Sequence, residues 1–127
     1  MATILVVDDE DDVRVVVRKM PEHDGYTVLD AGLPLKALDL VKGGGIDLVL
    51  TDVVMPVMKG TELAPQVEAI SRQTKVLLMS AYVLSEVTAS RRPFLAKPFT
   101  PSALAQKVRE LLTQPSHFRK PSRKPPV

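Results

Sequence analysis

Short apolar blocks and longer amphipathic stretches alternate along this chain. Thr3-Ile4-Leu5-Val6-Val7 is continuous, largely β-branched and apolar, and it stops abruptly at Asp8. A strand buried on both faces reads in this way, as an uninterrupted run rather than an alternation. Tyr26 to Leu29, Leu48 to Leu50 and Val76 to Met79 have the same character, and Phe94 to Ala96 is a weaker fifth block. Between them apolar residues recur at helical spacing: Val13, Val16, Val17 and Met20; Leu38 and Val41; Leu63, Val67 and Ile70; Leu104, Val108, Leu111 and Leu112. The order predicts strand and helix repeated five times, hence a parallel sheet with right-handed crossovers and helices on both faces. The expected fold is α/β, a doubly wound sheet of five strands whose ligand site lies at the carboxyl ends of the strands.

Local breakers mark the boundaries. Asp24-Gly25 closes the first helix, Gly43-Gly44-Gly45 closes the second, and Thr100-Pro101 is a cap followed by proline at the first helical position. Two prolines disturb this scheme. Pro21 is expected to end the first helix early. Pro65 falls inside the third helical stretch, where it costs about 3 kcal/mol unless the helix begins late enough to hold it in the first turn.

With 127 residues, 45% hydrophobic and 25% charged, the chain has the balance of one globular domain. Its apolar runs fall far short of the roughly 20 residues that cross a bilayer, and no basic segment leads into the first strand. A cytoplasmic protein without membrane contact is the expectation. The absence of cysteine excludes a disulfide framework, thiolate metal sites and thiol catalysis. The net charge of +2 and the pI near 9.0 change meaning once their location is considered. Pro115 to Val127 hold Arg119, Lys120, Arg123 and Lys124 with no acid, together with four of the eleven prolines. Residues 1–114 therefore form the expected domain, carrying 13 bases against 15 acids, and residues 115–127 form a basic, proline-rich tail without an apolar face to bury. That tail reads as a disordered linker or terminal extension, not as an arm for nucleic acid or anionic lipid.

The chemistry gathers at the strand ends. Asp8-Asp9-Glu10, Thr51-Asp52, Ser80-Ala81 and Lys97-Pro98 each end a predicted strand. Neighbouring strands about 4.8 Å apart would bring three carboxylates, a hydroxyl and an ammonium into one shallow pocket. Such carboxylates repel one another unless a cation neutralises them, and oxygen-only ligands suit Mg²⁺ or Mn²⁺. Asp52, the lone acid of the central strand, is the candidate nucleophile toward a phosphoryl group, with Lys97 and Ser80 holding its oxygens and the paired acids left for the metal. Taken alone, Asp8 and Asp9 are as readily a strand terminator and a helix cap. Four coincident strand ends are not.

At these residues the chain resembles the receiver domain of two-component response regulators, over about residues 3 to 113. Ile4-Leu-Val-Val-Asp8-Asp9-Glu10 is similar to the family's acidic opening, and Asp47-Leu-Val-Leu-Thr-Asp52-Val-Val-Met55-Pro56-Val-Met-Lys-Gly60 to its phosphoacceptor segment. Val76-Leu-Leu-Met-Ser80-Ala81 and Phe94-Leu-Ala-Lys97-Pro98-Phe99 resemble its switch-hydroxyl and lysine segments. The resemblance implies a flavodoxin-like strand order 2-1-3-4-5. It implies that Asp52 takes a phosphoryl group from the phosphohistidine of a histidine kinase or histidine phosphotransfer domain. Asp9, Asp52 and the Val54 backbone carbonyl would hold Mg²⁺, with Asp8 acting mostly through water. Ser80 and Phe94 would change position with phosphorylation, and Lys97-Pro98 would be a cis bond.

Departures from the family pattern carry expectations of their own. Only sixteen residues separate Ser80 from Lys97, so the fourth helix must be short, and a monomer or weak dimer is expected. Val54 and Tyr82 supply no acid or amide to orient a water, which predicts slow self-hydrolysis. The combined motifs look most like receivers attached to hybrid sensor histidine kinases. Two other readings compete with the phosphoacceptor. A phosphorylation-independent interaction scaffold is opposed by intact Asp9, Asp52, Ser80 and Lys97. A small phosphohydrolase would need a second acid beside Asp52 and a substrate cap, neither of which is evident.

Overall fold

The computed structural model describes residues 2–82 and 85–114. The predicted tail, 115–127, lies outside the described residues. Five parallel strands, β1 (Thr3–Val7), β2 (Thr27–Ala31), β3 (Leu48–Asp52), β4 (Lys75–Ser80) and β5 (Phe94–Ala96), form one sheet in the order β2-β1-β3-β4-β5. The helices are α1 (Asp11–His23), α2 (Pro34–Lys42), α3 (Gly60–Ile70), α4 (Ser85–Ser90) and α5 (Pro101–Thr113). This is the doubly wound, flavodoxin-like arrangement the sequence predicts, and α4 is described over only six residues.

The continuous apolar runs have a simple cause. Successive strand residues point to opposite faces, and both faces are covered. Leu5, Val7, Val49 and Leu78 turn toward α2 and α3, joining Leu38, Val41, Leu63 and Val67. Ile4, Val6, Leu48, Leu50, Leu77 and Met79 turn the other way, joining Val17 of α1 and Leu104, Val108 and Leu111 of α5. Each such side chain contributes about 1.5–3 kcal/mol when fully buried, so two thin cores hold the sheet rigid from both sides.

One of the two prolines departs from expectation. Pro21 does not end α1, which runs on to His23; it is buried in the last turn, and its carbonyl accepts from the Asp24 and Tyr26 N–H groups, 3.1 Å each. Pro65 is interior, since α3 begins at Gly60. The hydrogen bond it removes is offset by its neighbours Leu63, Ala64 and Val67, all fully buried. At the other end of the chain Thr100 caps α5 as predicted, its hydroxyl accepting from the Ala103 N–H at 3.0 Å.

Candidate functional site

The carboxyl edge of the sheet is where the registers matter. Val7 pairs with Thr51, so Asp8, one residue beyond β1, emerges beside Asp52, the last residue of β3. Ser80 ends β4 opposite Ala96, and Lys97 follows immediately, its N–H bonded to the Ser80 carbonyl at 2.8 Å. From there the Lys97 ammonium reaches across β4 to both acids. It lies 3.1 Å from Asp8 Oδ2 and 3.2 Å from Asp52 Oδ1. The Lys97–Pro98 peptide is cis.

One carboxylate oxygen from each of Asp8, Asp9 and Asp52 lies within 4.8 Å of the others. Asp8 is fully buried and Asp52 nearly so, whereas Asp9 is exposed. Asp8 is fixed twice, Oδ1 accepting from the Glu10 N–H at 2.9 Å and Oδ2 from Lys97. Burial pushes the Asp52 carboxyl above the ordinary carboxylate range; Lys97 pulls it back, and the nearby Asp8 charge pushes it up again. For Lys97, burial disfavours the ammonium, yet the hydrogen bond to Asp8 and the charges of Asp52 and Asp8 outweigh it and hold its pKa above that of a free lysine. The residues fit a hard divalent cation. Three acidic oxygen donors with no nitrogen or sulfur among them, two on buried side chains and one open to solvent, leave room for waters and a further oxygen ligand.

The remaining predicted residues surround this set. Ser80 is buried, its hydroxyl accepting from the Tyr82 N–H at 3.1 Å. Phe94 opens β5 opposite Leu78 and packs, half-buried, against the core that holds Leu63, Val67 and Val87. Val54 sits in the loop after β3 with its side chain turned to solvent, and Tyr82 is likewise exposed.

Two residues that shape the site carry no assignment from the sequence alone. Gly60 starts α3 close against the end of β3, its N–H bonded to the Val53 carbonyl at 2.9 Å; a Cβ there would stand 2.3 Å from the Asp52 carbonyl oxygen. Only glycine permits that approach. Arg14 of α1 donates to the Asp8 carbonyl oxygen at 2.7 Å. The available signals were a glycine opening a helix soon after the acid, and the first cation after the acids at 8–12.

Comparison with known proteins agrees with the geometry. The family model of the response regulator receiver domain matches residues 4–109. The chain belongs to the response regulator receiver family. It is 36% identical over 119 residues to the sensor kinase CckA of Brucella abortus, a match that covers 87% of this chain and 12% of the kinase. It is 32% identical over 114 residues to the sporulation initiation phosphotransferase F of Bacillus subtilis, covering 86% of this chain and 92% of that protein. Among the transcriptional regulators it matches in Bacillus subtilis, it spans about half of their length. The receiver domain of the hybrid histidine kinase CckA superposes with a TM-score of 0.77 at 32% identity, covering 88% of this chain and all of that one. The response regulator TrrA of Thermotoga maritima, in complex with Mg(2+)-BeF, gives a TM-score of 0.79 at 30% identity, covering 87% and 99%. This receiver is thus homologous to phosphorelay receivers, and no helix among its described residues is long and apolar enough to cross a membrane.

Proposed function

We propose that the receiver is a phosphoacceptor: Asp52 takes a phosphoryl group from a phosphohistidine of a histidine kinase or histidine phosphotransfer domain. The observation that carries this reading is the reach of Lys97 to within 3.1 and 3.2 Å of Asp8 and Asp52, beside a third carboxylate. An Asp52 oxygen attacks phosphorus, the new O–P bond forms as the P–N bond breaks, and the electron pair leaves with the imidazole nitrogen. Burial and the Asp8 charge make Asp52 more basic than a solvated carboxylate, while Lys97 neutralises part of the charge and stands ready to donate to a phosphoryl oxygen. Ser80 gives up the hydrogen bond from Tyr82 and turns its hydroxyl to a second oxygen, with Phe94 adjusting behind it. Asp8, Asp9, Asp52 and the Val54 carbonyl are the groups that would hold Mg²⁺ or Mn²⁺, which, when bound, neutralises charge that builds on the phosphoryl oxygens.

The partner reading has support beside the acids. A groove of about 530 Å³ runs between α1 and the β5–α5 connection, lined by Val13, Val16, Met20, Pro98 and Phe99 next to Lys97. It offers an apolar seat for a protein that must bring its phosphohistidine to Asp52. The same reading takes the receiver to be a cytoplasmic relay module, monomeric or weakly dimeric, of the kind carried by hybrid histidine kinases.

Incubation with Mg²⁺ and acetyl phosphate or phosphoramidate, followed by intact mass measurement, tests this. A stoichiometric phosphoryl adduct is expected in the wild type and none in Asp52→Asn. No adduct at all would favour an interaction scaffold, and sustained phosphate release a hydrolase. Because Val54 and Tyr82 give a water no acid or amide to lean on, the adduct is expected to decay slowly; a half-life as short as that of a fast chemotaxis-type receiver would contradict this.

A further inference from the structure

Asp9 differs from its two companions in the carboxylate set. Lys97 and the Glu10 N–H hold the Asp8 carboxylate, and Lys97 holds that of Asp52. Among the described residues no hydrogen bond or ion pair holds the carboxylate of Asp9, which is exposed. Its location therefore depends on the backbone that carries it. That backbone is leaving the sheet: the ladders to β2 and β3 end at Val7, and one further bond, from the Asp8 N–H to the Ala31 carbonyl at 3.2 Å, holds the amino side of Asp8.

On its carbonyl side a side chain grips it. Arg14 Nη1 donates to the Asp8 carbonyl oxygen at 2.7 Å, and this oxygen belongs to the peptide plane joining Asp8 to Asp9. Arg14 is itself anchored: Nη2 lies 2.6 Å from Asp11 Oδ1, and Nε 3.6 Å from Asp30 Oδ1 at the end of β2. Its guanidinium also lies against Gly32, where a Cβ would stand 2.9 Å from Nη1. The bare backbone at Gly32 makes room for the fork.

We propose that Arg14 is a positioning residue for the cation site, fixing the Asp8–Asp9 peptide so that Asp9 presents its carboxylate toward Asp8 and Asp52. This rests on the reading of those acids as a divalent-cation site. It makes a prediction opposite in sign to simple electrostatics. A positive charge this close repels a cation, so its removal by itself would tighten binding. A positioning role requires that removal weaken it, as loss of a partner that orients a metal ligand does.

The probe is Mn²⁺ alone, titrated into the full chain, with the free ion followed by its electron paramagnetic resonance signal. Arg14→Met is expected to raise the dissociation constant about tenfold, at the lower end of what loss of an orienting partner costs. Arg14→Lys, which keeps the charge but not the fork, should recover only part of this. Gly32→Ala should shift binding the same way by less, and should add nothing in the Arg14→Met background, since both act through one contact. The rate of adduct formation from acetyl phosphate should return to the wild-type value at saturating Mn²⁺, which a general loss of packing would not allow. Circular dichroism checks folding, and if Arg14→Met fails to fold, Gly32→Ala carries the test. Equal or tighter Mn²⁺ binding in a folded variant overturns the inference while leaving the cation site in place. A wild type whose Mn²⁺ binding is absent, or indifferent to Asp52→Asn, overturns both.

Discussion

Lys75 and Lys97 stand at opposite ends of the same sheet and illustrate what a partner does to a buried ammonium. Lys97, at the carboxyl edge, faces two carboxylates, and its pKa rises despite burial. Lys75 opens β4 at the amino edge, where its ammonium donates to the carbonyls of Leu111 and Gln114, at 2.8 and 2.6 Å, at the end of α5. Burial lowers its pKa. Carbonyls at a helix terminus offer only partial charge, enough to cap the helix but not to compensate fully for lost hydration. One lysine is thus held charged by two carboxylates, as the proposed phosphoryl chemistry requires, and the other serves as a structural clasp.

The comparison can be broken by removing either ammonium. Lys97→Met is expected to slow adduct formation from acetyl phosphate about 100-fold, the usual consequence of deleting one donor to developing negative charge, read as a time course of intact mass. Lys75→Met should do the reverse. It costs about 1–3 kcal/mol in urea unfolding, because two charge-assisted hydrogen bonds disappear, while adduct formation proceeds at the wild-type rate. An effect of Lys75→Met on adduct rate as large as its effect on stability would erase the distinction.

Two smaller effects sharpen it. The Asp52 carboxyl has a folded-state pKa above its ordinary 3.8, so the folded protein binds the extra proton and stability is lost as pH rises through the folded value. Asp52→Asn should therefore unfold at higher urea than the wild type at pH 7, with the gap closing as the pH falls toward 4. The lysines separate on the alkaline side. Lys75, with its pKa below the ordinary 10.5, makes the unfolded chain the better proton binder, so wild-type stability rises relative to Lys75→Met as the pH climbs to that value. Lys97 stabilises below 10.5 and loses that contribution only above it. Differences in thermal midpoint between pH 8 and pH 11 measure both.

The two lysines also mark how far the sequence could be read. Lys97 is legible because it follows an apolar run at a predicted strand end, where chemistry is expected in a doubly wound sheet. Lys75 is not, since the fourth strand is read from Val76 and no pattern distinguishes a buried lysine at its start from a solvated one before it. The parallel sheet follows from uninterrupted runs such as Thr3–Val7, whose burial on two faces leaves a strong signal, whereas the strand order comes from the family resemblance. Pro21 misleads because local propensity points against a helix that packing around Val17 sustains, and Pro65 stays interior, as its spacing reads, because Leu63 and Val67 are buried beside it. Gly60 and Arg14 act through contacts with the backbones of Asp52 and Asp8, and contacts of that kind depend on how α3 and α1 are set against the sheet, which periodicity does not encode.

The strand that delivers Lys97 is only three residues long and pairs with the rest of the sheet along one side. Should that outer edge fray, its cation departs too, and Asp8 and Asp52 are left facing each other with nothing between them. Peeling is thereby penalised by mutual repulsion of the two acids, so this short margin is fastened by the same charges that frame the proposed phosphoryl site.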